Sequence, residues 1–280
     1  MSFITNIRSV AKYESKILVR SWFFRIFTLL AVVFLGFFNF AMMLMEDNFG
    51  LWFVKAVSSN IPYLNLLLLN TGQAVVAVFL SSEFLKRDKK FDTSEVFYVR
   101  PLSNAEYVVG KIWGNLRVFL LLNLLVLAIV LAFNFMASGI AVDLSAYGVY
   151  FLLISIPTLI FIIGLSIFLM LLLRNQALTF ILLLGYIGLT LFYIQDKFYY
   201  LFDYMVYNLP LFKSTIVGFS SLELILNHRA IYFFAGLGFI FFTIFLFKRL
   251  PNARRSHYPW LFLSLCMFLL AGTAGFRHVR

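Results

Sequence analysis

Seven runs of apolar residues, separated by short polar stretches, pattern this chain: 26–45, 61–82, 118–136, 147–173, 177–194, 231–247 and 260–274. The first six fall close to the roughly 17–25 residues that cross a bilayer as a helix, and the last sits at the low edge of that length. They are continuous rather than alternating with period two. A segment in hydrocarbon satisfies its backbone internally only as a helix or a closed barrel, and a barrel would alternate. The pattern predicts an all-α polytopic membrane protein with six transmembrane helices and a seventh.

Composition points the same way. Of the 280 residues, 62% are apolar and 12% charged, against about 45–50% and about 25% in soluble domains. Mean hydropathy is +0.94. A soluble enzyme, a disordered regulator and a disulfide-stapled secreted module are excluded. The 36 phenylalanines are a packing and lipid-facing signal that names no substrate.

The net charge of +11 resolves into a topology. With the N-terminus in the cytoplasm, seventeen basic residues fall inside and four outside (Lys55, Lys197, Lys213, Arg229), while Arg277 and Arg280 follow the seventh run and lie outside if it spans, a bias in line with the positive-inside rule. The excess charge is therefore read as orientation, not as a nucleic-acid surface. Arg8, Lys12, Lys16 and Arg20 recur every four residues, on one face of a helix. Ile4, Ile7, Ala11 and Leu18 lie mainly opposite. Residues 1–22 are expected as an in-plane elbow helix in the inner headgroup region, where membrane lipid is the partner.

Two loops stand out. Residues 83–106 carry two helix-start signatures, Asp92-Thr93-Ser94-Glu95 and Ser103-Asn104-Ala105-Glu106, each a capping residue followed three on by Glu. The first opens a short helix that ends near Arg100, because Pro101 follows. The second opens the third span well before Val118. A short helix with Val96, Phe97 and Val99 beside charges fits either a docking knob or a solvated connector. The second loop, 195–229, is too long for a turn and too apolar for a free linker. It fits short helices dipping into the outer leaflet as a lid, or an amphipathic pair lying on the surface.

Chemistry is sparse. No Asp or Glu lies inside an apolar run, which disfavours an ion-coupled carrier. The polar residues there are Asn39, Asn65, Asn70, Gln73, Asn123 and Asn134, best read as interhelical hydrogen bonds. Asn70 and Gln73, three apart on one face, are also candidates to line a pathway. The single cysteine, Cys266, and three dispersed histidines offer no metal site, and no phosphate loop or HExxH occurs. Ser220, Ser221 and His228 share a loop but do not define a hydrolase. No catalytic, cofactor or metal residues are assigned.

Together with Tyr13-Glu14-Ser15-Lys16, Arg20-Ser21, Glu83, Asp92-Thr93-Ser94-Glu95, Tyr98, Arg100-Pro101, Ser103-Asn104, Tyr107 and Gly110-Lys111, this layout resembles the ABC-2-type transporter permease family over about residues 1–250. The resemblance implies a permease dimer, of identical or different chains, in a bacterial cytoplasmic membrane. It implies that the helix after span two, with Asp92, Glu95, Val96, Phe97, Tyr98 and Arg100, is a coupling helix docked on a separate cytoplasmic ABC ATPase. ATP and Mg would then be bound by that partner and not by this chain. The family's unit has six spans, whereas residues 251–280 here form a basic link and a seventh run, as expected if the chain continues in a larger polypeptide. A non-transporting membrane anchor or scaffold of an envelope complex is the alternative from another class. An ATP-independent channel or carrier is a third.

Overall fold

The computed structural model describes residues 3–44, 59–82, 102–136, 142–194, 197–211, 213–214, 218–247 and 258–280. Helices dominate: α1 Phe3–Arg20, α2 Trp22–Leu44, α3 Asn60–Ser82, α4 Asn104–Met136, α5 Leu144–Leu173, α6 Gln176–Ile194, α7 Leu222–Leu246 and α8 Tyr258–Val279. The seven from α2 to α8 are long and apolar enough to cross a membrane. This is an all-α polytopic membrane protein. A two-residue hairpin, β1 Lys213–Ser214 and β2 Gly218–Phe219, precedes α7.

Local chemistry sets several helix ends. The Ser103 N–H donates to Glu106 Oε2 (2.6 Å) and the Glu106 N–H returns to Ser103 Oγ (3.2 Å). That is the reciprocal capping box expected from the sequence. Asp143 caps α5 by accepting the Ser145 and Ala146 N–H groups. Between α5 and α6, Arg174 turns the chain in a left-handed conformation (φ 53°), and Asn175 caps α6 through the Leu178 N–H.

The 33 residues of α4 measure roughly 50 Å at about 1.5 Å per residue, well beyond a hydrocarbon core of about 30 Å. Its first turn meets the C-terminal end of α7, where Asn104 Nδ2 donates to the Phe247 carbonyl (2.9 Å) and Tyr107 stacks on Phe247, and α1 packs along its N-terminal third. α3 is the central helix, buried along most of its length. α2 runs antiparallel to it, with Phe23 on Phe79 near one end and Asn39 on Asn65 near the other. α5 and α7 cross at glycine: a Cβ on Gly164 would sit 2.7 Å from the Gly236 carbonyl oxygen. α8 lies against α7, where Ser264 Oγ donates to the Gly238 carbonyl (2.9 Å).

Two boundaries differ from the sequence pattern. α7 begins at Leu222 rather than 231, so His228 and Arg229 lie inside the helix and not in the loop. Their polarity masks a stretch whose backbone is helical, with Glu223 in its first turn, where a carboxylate suits the helix dipole. The segment between α6 and α7 is correspondingly shorter. Within the described residues it is a 3-10 turn, Phe198–Tyr200, followed by irregular turns.

Candidate functional site

Three polar constellations interrupt the apolar bundle. The first lies in its middle. Gln73 Nε2 donates to Asn70 Oδ1 (2.6 Å), and Asn123 Nδ2 donates to Gln73 Oε1 (2.9 Å). Asn70 Nδ2 reaches Asn123 Oδ1 (3.2 Å), and Ser155 Oγ donates to the same oxygen (2.8 Å). All four residues are buried. Four side chains from α3, α4 and α5 thus close a ring in which each polar atom serves another, the arrangement that makes buried polarity tolerable in lipid. The remaining in-span amides also bond across helices. Asn39 and Asn65 exchange hydrogen bonds (2.7 and 3.0 Å), and Asn134 Nδ2 donates to Tyr147 Oη (3.1 Å).

The second constellation seals the end of the bundle remote from α1. Residues 197–211 form an irregular plug whose carbonyls are held by side chains of the spans. His278 Nε2 reaches the Tyr199 oxygen (2.9 Å), His228 Nε2 the Tyr200 oxygen (3.1 Å) and Tyr232 Oη the Leu201 oxygen (2.5 Å). Because a carbonyl only accepts, Nε2 carries the proton in both histidines. Tyr63 Oη donates to the Val206 oxygen (3.2 Å) and Tyr150 Oη to the Leu211 oxygen (2.7 Å). Phe198, Tyr199 and Tyr200 all have φ between 55° and 60°, a left-handed run that non-glycine residues adopt only under such outside restraint.

Arg229 is the centre of this seal. Its Nε donates to the Leu153 carbonyl (2.6 Å), Nη1 to the Tyr204 carbonyl (2.8 Å), and Nη2 to Thr158 Oγ1 (2.8 Å) and the Ile154 carbonyl (3.3 Å). Leu153 and Ile154 belong to a π-helical turn of α5, Phe151–Ser155, just before Pro157. Asp203, buried in the plug, accepts the Asn208 N–H (2.7 Å). Burial raises its carboxyl above the usual range, while backbone N–H groups and the Arg229 charge pull the other way without cancelling the rise. At the rim, Lys213 Nζ pairs with Asp143 (2.7 Å) and contacts Ser145 Oγ. Burial alone would raise the Asp143 carboxyl. The hydrogen bonds from Lys213, Ser145 and Ala146, with the Lys213 charge, outweigh it and hold the group below its ordinary value.

The third constellation joins α1 to the N-terminal end of α4. A Cβ on Gly110 would fall 2.7 Å from Val10 Cβ, and one on Gly114 would fall 2.7 Å from Glu14 Cβ and 2.8 Å from the Ala11 oxygen. Only glycine permits that approach. Around it, Ser15 Oγ donates to the Gly114 carbonyl (2.7 Å) and Arg117 Nε donates to Ser15 Oγ (2.5 Å). Lys111 faces Glu14 at 3.8 Å, and Asn6 Nδ2 donates to Glu106 Oε1 (2.8 Å).

The structure brings Asn70 and Gln73 together, as their spacing suggests, and adds Asn123 and Ser155. Arg8, Lys12, Lys16 and Arg20 line the exposed face of α1, and Ile7, Ala11 and Leu18 turn toward α4, while Ile4 is exposed. The coupling-helix candidates Asp92, Glu95, Val96, Phe97, Tyr98 and Arg100 lie outside the described residues. Ser220, Ser221 and His228 make no triad, since the His228 imidazole is committed to the plug. Among the described residues no three His, Cys, Asp or Glu side chains gather as for a metal.

Two features escaped sequence reasoning although signals existed. Gly110-x-x-x-Gly114 facing Ala11-x-x-x-Ser15 is a small-residue pairing pattern of membrane helices. Pro157 inside a span announces that the carbonyl four residues earlier, Leu153, needs another donor. No protein-family model matches the chain. No curated protein matches it either.

Proposed function

We propose that this chain is the membrane subunit of an ATP-driven exporter of the ABC-2 type, working in a bacterial cytoplasmic membrane with α1 on the cytoplasmic side. The plug carries the proposal. Irregular backbone at the level of a bilayer survives only where protein or a water-lined cavity covers it, and here six carbonyls between Tyr199 and Leu211 are held by side chains of α3, α5, α7 and α8. A plain anchor has no need of such a segment; a gate does. The opposite end supports the same reading. α1 packs closely on the N-terminal end of α4, the helix that follows in sequence the segment containing Asp92, Glu95, Val96, Phe97, Tyr98 and Arg100.

In this proposal that segment docks an ABC ATPase, which binds ATP and Mg, and closure of the ATPase pair drives α1 and the N-terminal end of α4. The bundle interior is occupied by bonded side chains, so the export path runs between two permease chains. Asn70 and Gln73 then brace the bundle. The test is co-purification with an ATP-hydrolysing partner, followed by Glu95→Lys with Phe97→Ala. Loss of the complex at unchanged thermal stability is expected. If the complex and its ATPase coupling both survive, the docking assignment is wrong.

The occupied interior also favours a second reading, a non-transporting anchor in an envelope assembly. Proteoliposomes holding chain and ATPase separate the two, because only the exporter shows ATP-dependent efflux.

A further inference from the structure

The two histidines that hold the plug are bound on one side of the ring only. His228 Nε2 donates to the Tyr200 carbonyl (3.1 Å) and His278 Nε2 to the Tyr199 carbonyl (2.9 Å), so two consecutive carbonyls hang on imidazoles from two different spans. Both rings are buried, at 0% and 6% exposure, and their centroids lie 5.0 Å apart. With the proton on Nε2, each Nδ1 is left as an acceptor. Neither Nδ1 has a hydrogen-bond partner among the described residues. Tyr199 and Tyr200 themselves have left-handed backbone, with φ of 56° and 60°. The residues gripped by the histidines are therefore those that relax when the grip is lost.

The charges around the pair oppose a further proton. On α7, Arg229 acts on His228 through space, and the Tyr232 ring lies 5.3 Å from the His228 ring with its hydroxyl committed to Leu201. Glu223, also on α7, is exposed. Arg277 on α8 and Arg280 after it are exposed and positive. In the plug, Lys197 stands over the Tyr193 ring of α6, and Asp203 accepts the Asn208 N–H and acts on Arg229. α3, α5 and α6 bring tyrosines to this end, among them Tyr63, Tyr150 and Tyr186, and the Asp143–Lys213 pair lies at the rim. A proton on either Nδ1 thus makes a buried N–H with no acceptor among these groups, beside a second imidazole and a guanidinium. An unpaired buried charge of this kind is strongly disfavoured.

We propose that His228 and His278 are a proton-operated latch on the plug, closed while both imidazoles are neutral and released when they take up protons. Displaced from the plug and wetted, an imidazole titrates near its ordinary value of about 6.5. Because the latched state binds fewer protons, its stability is fully present above that value and is lost as pH falls below it. With two histidines the opening equilibrium rises by up to about a hundredfold per pH unit in the acid range. The carboxyls do not mimic this. Asp203, raised by burial, favours the closed plug when protonated, and Asp143 is held below the ordinary carboxyl value, so its ion pair survives to more acid pH. The latch rests on the plug geometry alone and stands independently of the exporter proposal.

The full chain is reconstituted in phosphatidylcholine nanodiscs and taken from about pH 7.5 to about pH 5, the range in which imidazole titrates. Hydrogen–deuterium exchange of the 197–211 amides is followed, corrected for the intrinsic pH dependence of exchange, with the α3 amides as reference. Protection of the plug is expected to fall by more than about tenfold per pH unit below about pH 6, while α3 holds. His228→Gln with His278→Gln keeps an Nε2–H for each carbonyl and takes up no proton, so its plug stays protected in acid. His278→Gln alone leaves a response of at most about tenfold per pH unit. Histidine-selective isotope labelling reads both rings of the unsubstituted chain by nitrogen NMR, and each Nδ1 should stay unprotonated until plug protection is lost. A plug equally protected across the range overturns the latch, as does a protonated histidine in a plug that is still protected. Loosening that persists in the double variant also overturns it, by assigning the response to another group.

Discussion

Arg229 Nε donates to the Leu153 carbonyl at 2.6 Å, and Leu153 lies four residues before Pro157, in the π-helical turn Phe151–Ser155. A proline removes the hydrogen bond to the carbonyl four residues before it, and in a dry bundle that carbonyl needs a replacement. An arginine from the neighbouring span supplies it, and the same guanidinium ties down Tyr204 of the plug. One side chain therefore repairs a helix defect and fastens the seal. Arg229→Met is expected to cost about 3 kcal/mol, a charged hydrogen bond being worth about 1.5–3. In a Pro157→Ala background, where an N–H is restored, the loss should shrink by about 1 kcal/mol. Thermal unfolding of the four proteins in detergent measures this, and strict additivity would contradict the coupling.

The central ring makes a graded prediction. Asn123 bonds Gln73, Asn70 and Ser155, whereas Ser155 bonds only Asn123 and Asn70. At about 0.6 kcal/mol per interhelical bond, Asn123→Leu should destabilise by roughly 2 kcal/mol and Ser155→Ala by about 1. Melting curves that rank them the other way would mean that packing, not bonding, governs the site.

Glycine positions separate contact from conformation. Gly114→Ala puts a methyl 2.7 Å from Glu14 Cβ and should lever α1 off α4, at about 1–3 kcal/mol for overpacking. Gly148→Ala meets nothing within 4 Å and should be neutral or stabilising by about 0.5 kcal/mol. Limited proteolysis reads the first directly, as faster cleavage within α1 in Gly114→Ala only.

The two carboxyls of the plug and its rim respond to pH in opposite directions. Asp143 is held low by Lys213, so its contribution is present above the unfolded carboxyl value, about 3.9, and is lost as pH falls through the lower folded value. At the partly exposed rim, the pair is worth under about 1 kcal/mol. Asp203 is raised by burial. Its favourable state is the protonated one, fully present below about 3.9 and lost as pH rises through the higher folded value. Asp203→Asn should therefore raise the melting temperature at neutral pH, with the gain disappearing in acid. A gain that persists at low pH would show that charge is not the cause.

Fold class was legible because lipid imposes one rule on every span: apolar side chains outside and backbone bonds within. The runs at 26–45 and 118–136 carry that rule in composition alone, as does the capping box at Ser103 and Glu106, whose partners are three residues apart. The start of α7 at Leu222 was hidden, because His228 and Arg229 look like loop residues until their acceptors, Tyr200, Tyr204 and Leu153, are known. Those acceptors lie about 25 to 76 residues away in sequence. The ring of Asn70, Gln73, Asn123 and Ser155 and the contact of α1 with Gly110 and Gly114 have the same character. Sequence alone determined which segments leave water, since that is a sum over local side chains. Tertiary structure decided which polar groups satisfy one another, since a hydrogen bond depends on a partner that only packing brings within 3 Å or so.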